Sequence, residues 1–372
     1  MAAASAGGVA TIAPRRRARL GGAGREPGVD LARGLAVFGM FAAHVVVTAT
    51  SFDAGDPASW NAVVNGNSSI LFATLAGLSL ALVSGGAAPL TGMALGTARA
   101  RIAVRAVCIF LVGLALMALG TPVYVILPAY GILFLLALPL LGLPVWALAA
   151  LAGAVAVVGP FAVAAIDAWP IWSGPEGAAL ADALGWHYPF VAWIAFVAAG
   201  MALGRADLSR LSTAAAALCI GSGAAILGFG LVPRLLPLSP AFDGAPHSTG
   251  MGEMIGSGGL AIAIVGACVL VCRTPVRVLV WPLRAVGSMP LSAYAAQLVV
   301  WAVWIAATGG GDLGALAGFR AAEPFWPLSL ATLAACSAWA ALVGKGPLEA
   351  GIAWVARTVV PGAMPRGDRL GA

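Results

Sequence analysis

Residues 29–44 read Val29-Asp30-Leu31-Ala32-Arg33-Gly34-Leu35-Ala36-Val37-Phe38-Gly39-Met40-Phe41-Ala42-Ala43-His44. Asp30, Arg33 and His44 are the only ionisable side chains in an otherwise apolar run that continues to Thr50. A bilayer core of ~30 Å takes ~20 apolar residues of helix, so the stretch reads as a membrane span. Nine further runs of this kind follow, giving spans at 31–50, 68–86, 101–120, 124–142, 145–166, 188–204, 211–232, 254–272, 286–307 and 325–344. Turn chemistry separates them: Gly85-Gly86 with Pro89, Gly142 with Pro144, Trp169-Pro170, Gly204, Pro233 with Pro237, and Gly309-Gly310-Gly311.

Composition agrees. Of 372 residues, 61% are apolar and 9% charged, with a mean hydropathy of +0.98. Soluble domains carry roughly 25% charged residues, and disorder needs low hydrophobicity, so both classes are excluded. The 49 Gly and 24 Pro suit membrane helices. The expected fold is all-α: a polytopic integral membrane bundle of about ten helices in a multi-pass cell-membrane protein. Residues 1–28 read as a basic cytoplasmic tail, 29–344 as the membrane domain, and 345–372 as an interfacial helix and tail. The first span reads as an uncleaved anchor, and no internal repeat supports an inverted-repeat transporter.

Basic residues in short loops set orientation. With the N-terminus inside, Arg15, Arg16, Arg17, Arg19, Arg25, Arg33, Arg99, Arg101, Arg105, Arg205, Arg210, Arg273, Arg277, Arg284, Lys345, Arg357, Arg366 and Arg369 share one face. These are 18 of the 20 cations, leaving Arg234 and Arg320 outside. An even span count puts both termini in the cytoplasm. His44, His187 and His247, with nine of the 14 acids, fall towards the outside. The tail's arginines suit contact with anionic membrane lipid, and nothing supports nucleic acid as a partner.

Ionisable groups inside spans are functional candidates. Asp30 and Arg33, three apart, share a helix face and either pair as an interfacial anchor or serve a site. Gly34 leaves room for another backbone. His44 lies 14 residues beyond Asp30, ~21 Å along a helix, in the outer part of the span. Its imidazole suits a general base or an acyl carrier, or packs as a hydrogen-bonded core residue. In the loop that follows, Trp60, Asn61 and Asn65 suit a sugar or amide acceptor, or Trp60 joins an interfacial aromatic belt. Pro246-His247-Ser248-Thr249-Gly250-Met251-Gly252-Glu253 opens the eighth span, where His247 and Glu253 meet as acid, base or orienting partner, or simply form a solvated loop. Ser248 belongs to the same patch. Ser288, Ser292, Tyr294 and Gln297 form a polar stripe in the ninth span, with Tyr294 and Gln297 on one face. Such a stripe lines a cavity or bonds neighbouring helices. Cys268 and Cys272 lack His or acid neighbours, so they read as packing and no metal is expected. Gly200-Met201-Ala202-Leu203-Gly204 is a small-xxx-small packing motif.

Val29-Asp30-Leu31-Ala32-Arg33-Gly34-Leu35-Ala36, with a histidine ten residues after Gly34, resembles the opening signature of a family of transmembrane acyltransferases. This family comprises the DUF418 and YeiB-like proteins and the heparan-alpha-glucosaminide N-acetyltransferase catalytic domain. Leu71-Phe72-Ala73-Thr74-Leu75-Ala76-Gly77, Tyr130-Gly131-Ile132-Leu133-Phe134, Tyr188-Pro189, Pro246-His247-Ser248, Gly287-Ser288-Met289-Pro290 and Gly346-Pro347-Leu348-Glu349 follow in the same order. The resemblance covers residues 25–358. It implies an enzyme that passes an acyl group, typically acetyl, from cytoplasmic acetyl-CoA or another acyl-CoA to a glycan amine or hydroxyl, or another small acceptor, on the far side. Arg33, Arg99, Arg101, Arg284, Tyr294 and Gln297 are then candidates for holding the CoA. His44, His247 and Asp30 are candidates for catalysis, and Trp60, Asn61, Asn65, Ser248 and Glu253 for holding the acceptor. Pro57 stands before Ala58-Ser59-Trp60-Asn61 where the heparan branch has a histidine, so the catalytic role falls to His44 or His247. A homodimer is compatible with the sequence. The competing class is a transporter or flippase for a small molecule or lipid-linked sugar, using the same charges and binding no CoA.

Overall fold

The computed structural model describes residues 26–235, 239–308 and 313–362. Helices run in chain order as α1 (Pro27–Val45), α2 (Asn67–Val83), α3 (Gly92–Met117), α4 (Leu127–Ala137), α5 (Val145–Asp167), α6 (Gly174–Leu184), α7 (Phe190–Arg205) and α8 (Leu211–Ala225). They continue as α9 (Met251–Val271), α10 (Trp281–Gly287), α11 (Pro290–Thr308), α12 (Leu313–Ala321), α13 (Phe325–Leu342) and α14 (Pro347–Val359). Among the described residues there is no strand. Among the described residues eight helices are long and apolar enough to cross a membrane, and the segments Leu127–Gly142 and Phe190–Arg205 are shorter apolar helices. The protein is an all-α, membrane-embedded bundle.

Several span limits differ from the sequence reading, each for a local reason. The first span begins at Pro27 and ends at Val45 rather than covering 31–50. Proline suits the first helical turn, and Asp30 and Arg33 satisfy each other at 2.9 Å, so the charges do not delay the helix. The third span starts at Gly92 rather than 101, because Arg99 and Arg101 reach backbone carbonyls instead of ending the helix. The expected 286–307 span is two helices, broken before Pro290, whose ring cannot continue one. A 3-10 turn, Leu138–Gly142, follows α4, and a π-helical turn, Ile226–Leu231, carries α8 on to Arg234. The arginines of 15–25 and the Gly309–Gly311 break lie outside the described residues.

Helices α1, α2, α7 and α9 form the buried centre, while α5 and α13 expose most of their apolar surface. Small residues set the central crossings. A Cβ on Gly200 would overlap the Thr74 carbonyl oxygen, and one on Gly77 would overlap the Val197 carbonyl oxygen. The α2–α7 backbones are therefore in direct contact, the close approach that small-xxx-small spacing permits. Gly34 and Gly287 bring α1 and α10 together in the same way. Arg205, buried at the end of α7, donates to the carbonyls of Ala81 (2.9 Å) and Gly86 (2.7 Å) and to Ser84 Oγ (2.7 Å). It satisfies the open carbonyls at the end of α2, where a cation is favoured. Glu349, in the first turn of α14, accepts the backbone N–H groups of Leu291 (2.8 Å) and Ser292 (3.1 Å). That contact fastens α14 to the start of α11.

Candidate functional site

Two cavities open towards opposite ends of α1 and α2. One, about 370 Å³, lies at the Asp30–Arg33 end and is lined also by Ser79, Arg105, Tyr130, Lys345 and Glu349. The other, about 870 Å³, lies at the His44 end and takes in Asn65, His187, Tyr188, His247, Tyr294 and Arg320.

In the Arg33 cavity, Asp30 is buried on α1 and accepts from Arg33 Nη1 at 2.9 Å. Arg33 Nη2 donates to Ser79 Oγ on α2 at 2.7 Å, which holds the guanidinium between two helices. Arg105 and Lys345 add cationic groups, while the Glu349 carboxylate is engaged at the start of α11. Glu26 lines the same cavity, so three cationic and three acidic side chains meet there, and the cationic groups suit the phosphates of a ligand.

In the His44 cavity, His44 is the penultimate residue of α1, its ring edge-on to Trp301 at 5.4 Å. Its carbonyl oxygen accepts from Arg320 Nε at 2.7 Å. His247 arrives from the loop before α9, 203 residues later in the chain, and its ring lies edge-on to Tyr188 at 6.4 Å. That loop is held in place by Glu253. Oε1 accepts the His247 backbone N–H at 2.6 Å and Oε2 that of Thr249 at 2.7 Å. His247 and Thr249 have φ of +63° and +53°, a left-handed region that ordinary residues enter only when their surroundings hold them there. Burial, and secondarily the neighbouring His187, pull the His247 pKa below its ordinary 6.5. The imidazole is therefore neutral at pH 7 and able to accept a proton.

One layer of side chains separates the cavities. Ser69 lines the His44 cavity and Phe72, one turn on, lines the other; Ile126 and Leu127 divide in the same way. Tyr130 stacks on Phe72 with centroids 5.6 Å apart and 5° between the planes, and its hydroxyl donates to the Ser69 carbonyl at 3.0 Å.

Of the residues singled out in the sequence, His44, His247, Asn65, Ser248 and Tyr294 share the His44 cavity. Asp30 and Arg33 share the other. Asp30 is therefore not in one site with the histidines, as the ~21 Å between it and His44 along the helix requires. Tyr294 lies with the histidines rather than beside Arg33. Arg99, Arg101 and Arg284 line neither cavity. Arg99 donates to the Leu138 carbonyl (3.0 Å), Arg101 to those of Val360 (3.2 Å) and Gly362 (2.6 Å), and Arg284 to that of Arg277 (3.4 Å). Trp60 and Asn61 also lie off both cavities. Asn61 fastens the 47–49 segment through Val47 and Ala49, and Trp60 bonds the Ala54 carbonyl at 3.3 Å. Glu253 stands behind the wall, meeting the backbone of His247 rather than its ring. Gln297 is buried outside both linings.

His187, Arg320, Tyr130 and Glu349 also line the cavities, although no site role follows from the sequence for them. Arg320 carried a signal, as one of two cations on the sparsely charged face. No group of three or more His, Cys, Asp or Glu side chains able to hold a metal occurs among the described residues.

The profile described as "Heparan-alpha-glucosaminide N-acetyltransferase, catalytic" matches residues 25–228, more than half of the chain, and takes in Asp30, Arg33, His44, Tyr130 and both sides of the partition. The chain belongs to this family of transmembrane acetyltransferases. A second profile, "Protein of unknown function (DUF418)", matches residues 206–360 and so takes in His247, Tyr294 and Glu349. Each cavity draws residues from both matched segments. No curated protein and no solved structure matches the chain.

Proposed function

We propose that this protein transfers an acyl group, acetyl by family, from acyl-CoA held in the Arg33 cavity to an amine or hydroxyl acceptor in the His44 cavity. The observation that carries the reading is the pair of back-to-back cavities, one bearing Arg33, Arg105 and Lys345 and one bearing the histidines, parted by a single side-chain layer. Arg33, Arg105 and Lys345 face the donor's phosphates. The thioester reaches the histidines when Phe72 and Tyr130 move aside. The acceptor N–H or O–H attacks the thioester carbonyl, His44 takes the proton, and the C–S bond breaks to release CoA thiolate, which is then protonated. His247, neutral at pH 7, takes part in orienting or deprotonating the acceptor. A two-step route through an acyl-His44 intermediate uses the same atoms. By the positive-inside rule the Arg33 cavity faces the cytoplasm, and the cell membrane is the proposed location.

Ligand-dependent stability tests the donor half. A ligand that binds only the native state stabilises it by about 2.7 kcal/mol at a hundred times its Kd, which is a few degrees of Tm for a protein of this size. CoA and acetyl-CoA should each raise the Tm of the detergent-purified protein by that amount. No shift at millimolar CoA would contradict donor binding.

A further inference from the structure

Resting on the acyltransfer reading, we propose that Glu253 is a positioning residue, which holds the His247 imidazole in the cavity through the backbone of its loop rather than through the ring. The loop turns at His247 and Thr249, both left-handed, with φ of +63° and +53°. Such a conformation costs an ordinary residue about 1–3 kcal/mol. Glycine, which enters it freely, fills most of the other left-handed positions among the described residues, Gly66 and Gly185 among them. At 247 the strain is instead kept on an imidazole that lines the cavity with Asn65 and stands edge-on to Tyr188. A turn that served the fold alone is met by glycine, so the retained strain points to the side chain that the turn aims.

Glu253 supplies what holds that turn. It is buried in the first turn of α9, where a carboxyl group is favoured. Its own N–H is fixed on the Asp243 carbonyl at 3.0 Å. The two carboxyl oxygens divide the loop between them. Oε1 accepts the His247 N–H at 2.6 Å and Oε2 that of Thr249 at 2.7 Å, with Ser248 Oγ 3.5 Å from Oε2. Gly66, the residue that caps the start of α2, makes room for this clamp, since a Cβ there would stand 3.1 Å from Oε1. Gly66 and Asn65 both line the cavity, so Glu253 sets the His247 loop against the wall that α2 provides. Glutamine would fill the same space but keep one acceptor, and its NH2 group would meet the second backbone N–H. A two-acceptor side chain is what the loop requires.

The chain has only three histidines, which makes the placement of His247 directly readable. Tag-free, full-length protein carrying isotope-labelled histidine gives three sets of ring signals by NMR, assigned with His44→Gln, His187→Gln and His247→Gln. Glu253→Gln should move or broaden the His247 signals and leave those of His44 in place. Acetyl transfer to glucosamine should fall to the level of His247→Gln, and the double variant should fall no further, because one residue acts through the other. Gly66→Ala presses a methyl group on Oε1 and leaves the carboxyl group present. It should displace the same signals by less, and it decides the matter if Glu253→Gln does not fold. Unchanged His247 signals in these variants would overturn the proposal. So would displacement of all three sets together, the mark of a residue that only supports the fold, or losses of transfer that multiply in the double variant. If the wild-type protein transfers acetyl to no acceptor while Glu253→Gln displaces His247 and not His44, the acyltransfer reading fails and the positioning of His247 stands.

Discussion

His44→Gln should lower acyl transfer by about 10²- to 10⁴-fold, the range ascribed to a positioned general base. Glutamine fills similar space and keeps a polar end, but it does not take up a proton at neutral pH. The side chain packs edge-on against Trp301 and is only half-buried, while Arg320 bonds the main-chain carbonyl of residue 44, which survives the substitution. The fold should therefore persist, and Tm should stay within a few degrees of the parent. Single-turnover measurement with labelled acetyl-CoA reads the chemical step apart from product release. A transfer rate unchanged from the wild type, in protein of unchanged Tm, would remove His44 from catalysis.

Gly200→Leu should abolish the folded protein. No rotamer relieves the overlap, because the Cβ itself meets the Thr74 carbonyl oxygen, which belongs to the backbone of α2. The helices must separate, and the Gly77 contact with α7 and the Arg205 bonds to the end of α2 are lost with them. Overpacking of a well-packed core costs about 1–3 kcal/mol where side chains can shift, and more where only backbone can. That is a large part of the ~5–15 kcal/mol that keeps a typical protein folded. Gly153→Leu is the matched control. Gly153 is exposed on α5, and a Cβ there meets nothing within 4 Å. Size-exclusion profiles of the two detergent-purified variants should show a single parent-like peak for Gly153→Leu and aggregate or no protein for Gly200→Leu. Similar profiles for both would show that the α2–α7 contact does not hold the bundle together.

The spans were legible because hydrocarbon imposes length and apolarity on each of them. Their limits were less so. The charges that set the first limit at 31 form an ion pair between Asp30 and Arg33, and Arg99 and Arg101 find carbonyls; neither partner is visible in hydropathy. The break at Pro290 was open to reading from its ring alone, but the surrounding apolar run hid it. For the site, fourteen residues of helix already placed Asp30 and His44 at different depths, and the structure gives them different cavities. The rarity of histidine pointed to His44 and His247, yet their shared cavity joins α1 to a loop 203 residues away, a tertiary fact with no local signature. Two of the polar loop residues lie off both cavities. Trp60 and Asn61 look like sugar-binding groups, but their side chains bond the local backbone.

The central claim is that donor and acceptor meet from opposite ends of the bundle. Proteoliposomes of uniform orientation, loaded with acetyl-CoA on the Arg33 side and glucosamine on the His44 side, test it directly. Acetylated sugar should appear on the His44 side and free CoA should stay on the other, with no product when the two substrates exchange compartments. Product formed only when both substrates share one compartment, or formed equally in either arrangement, would contradict it.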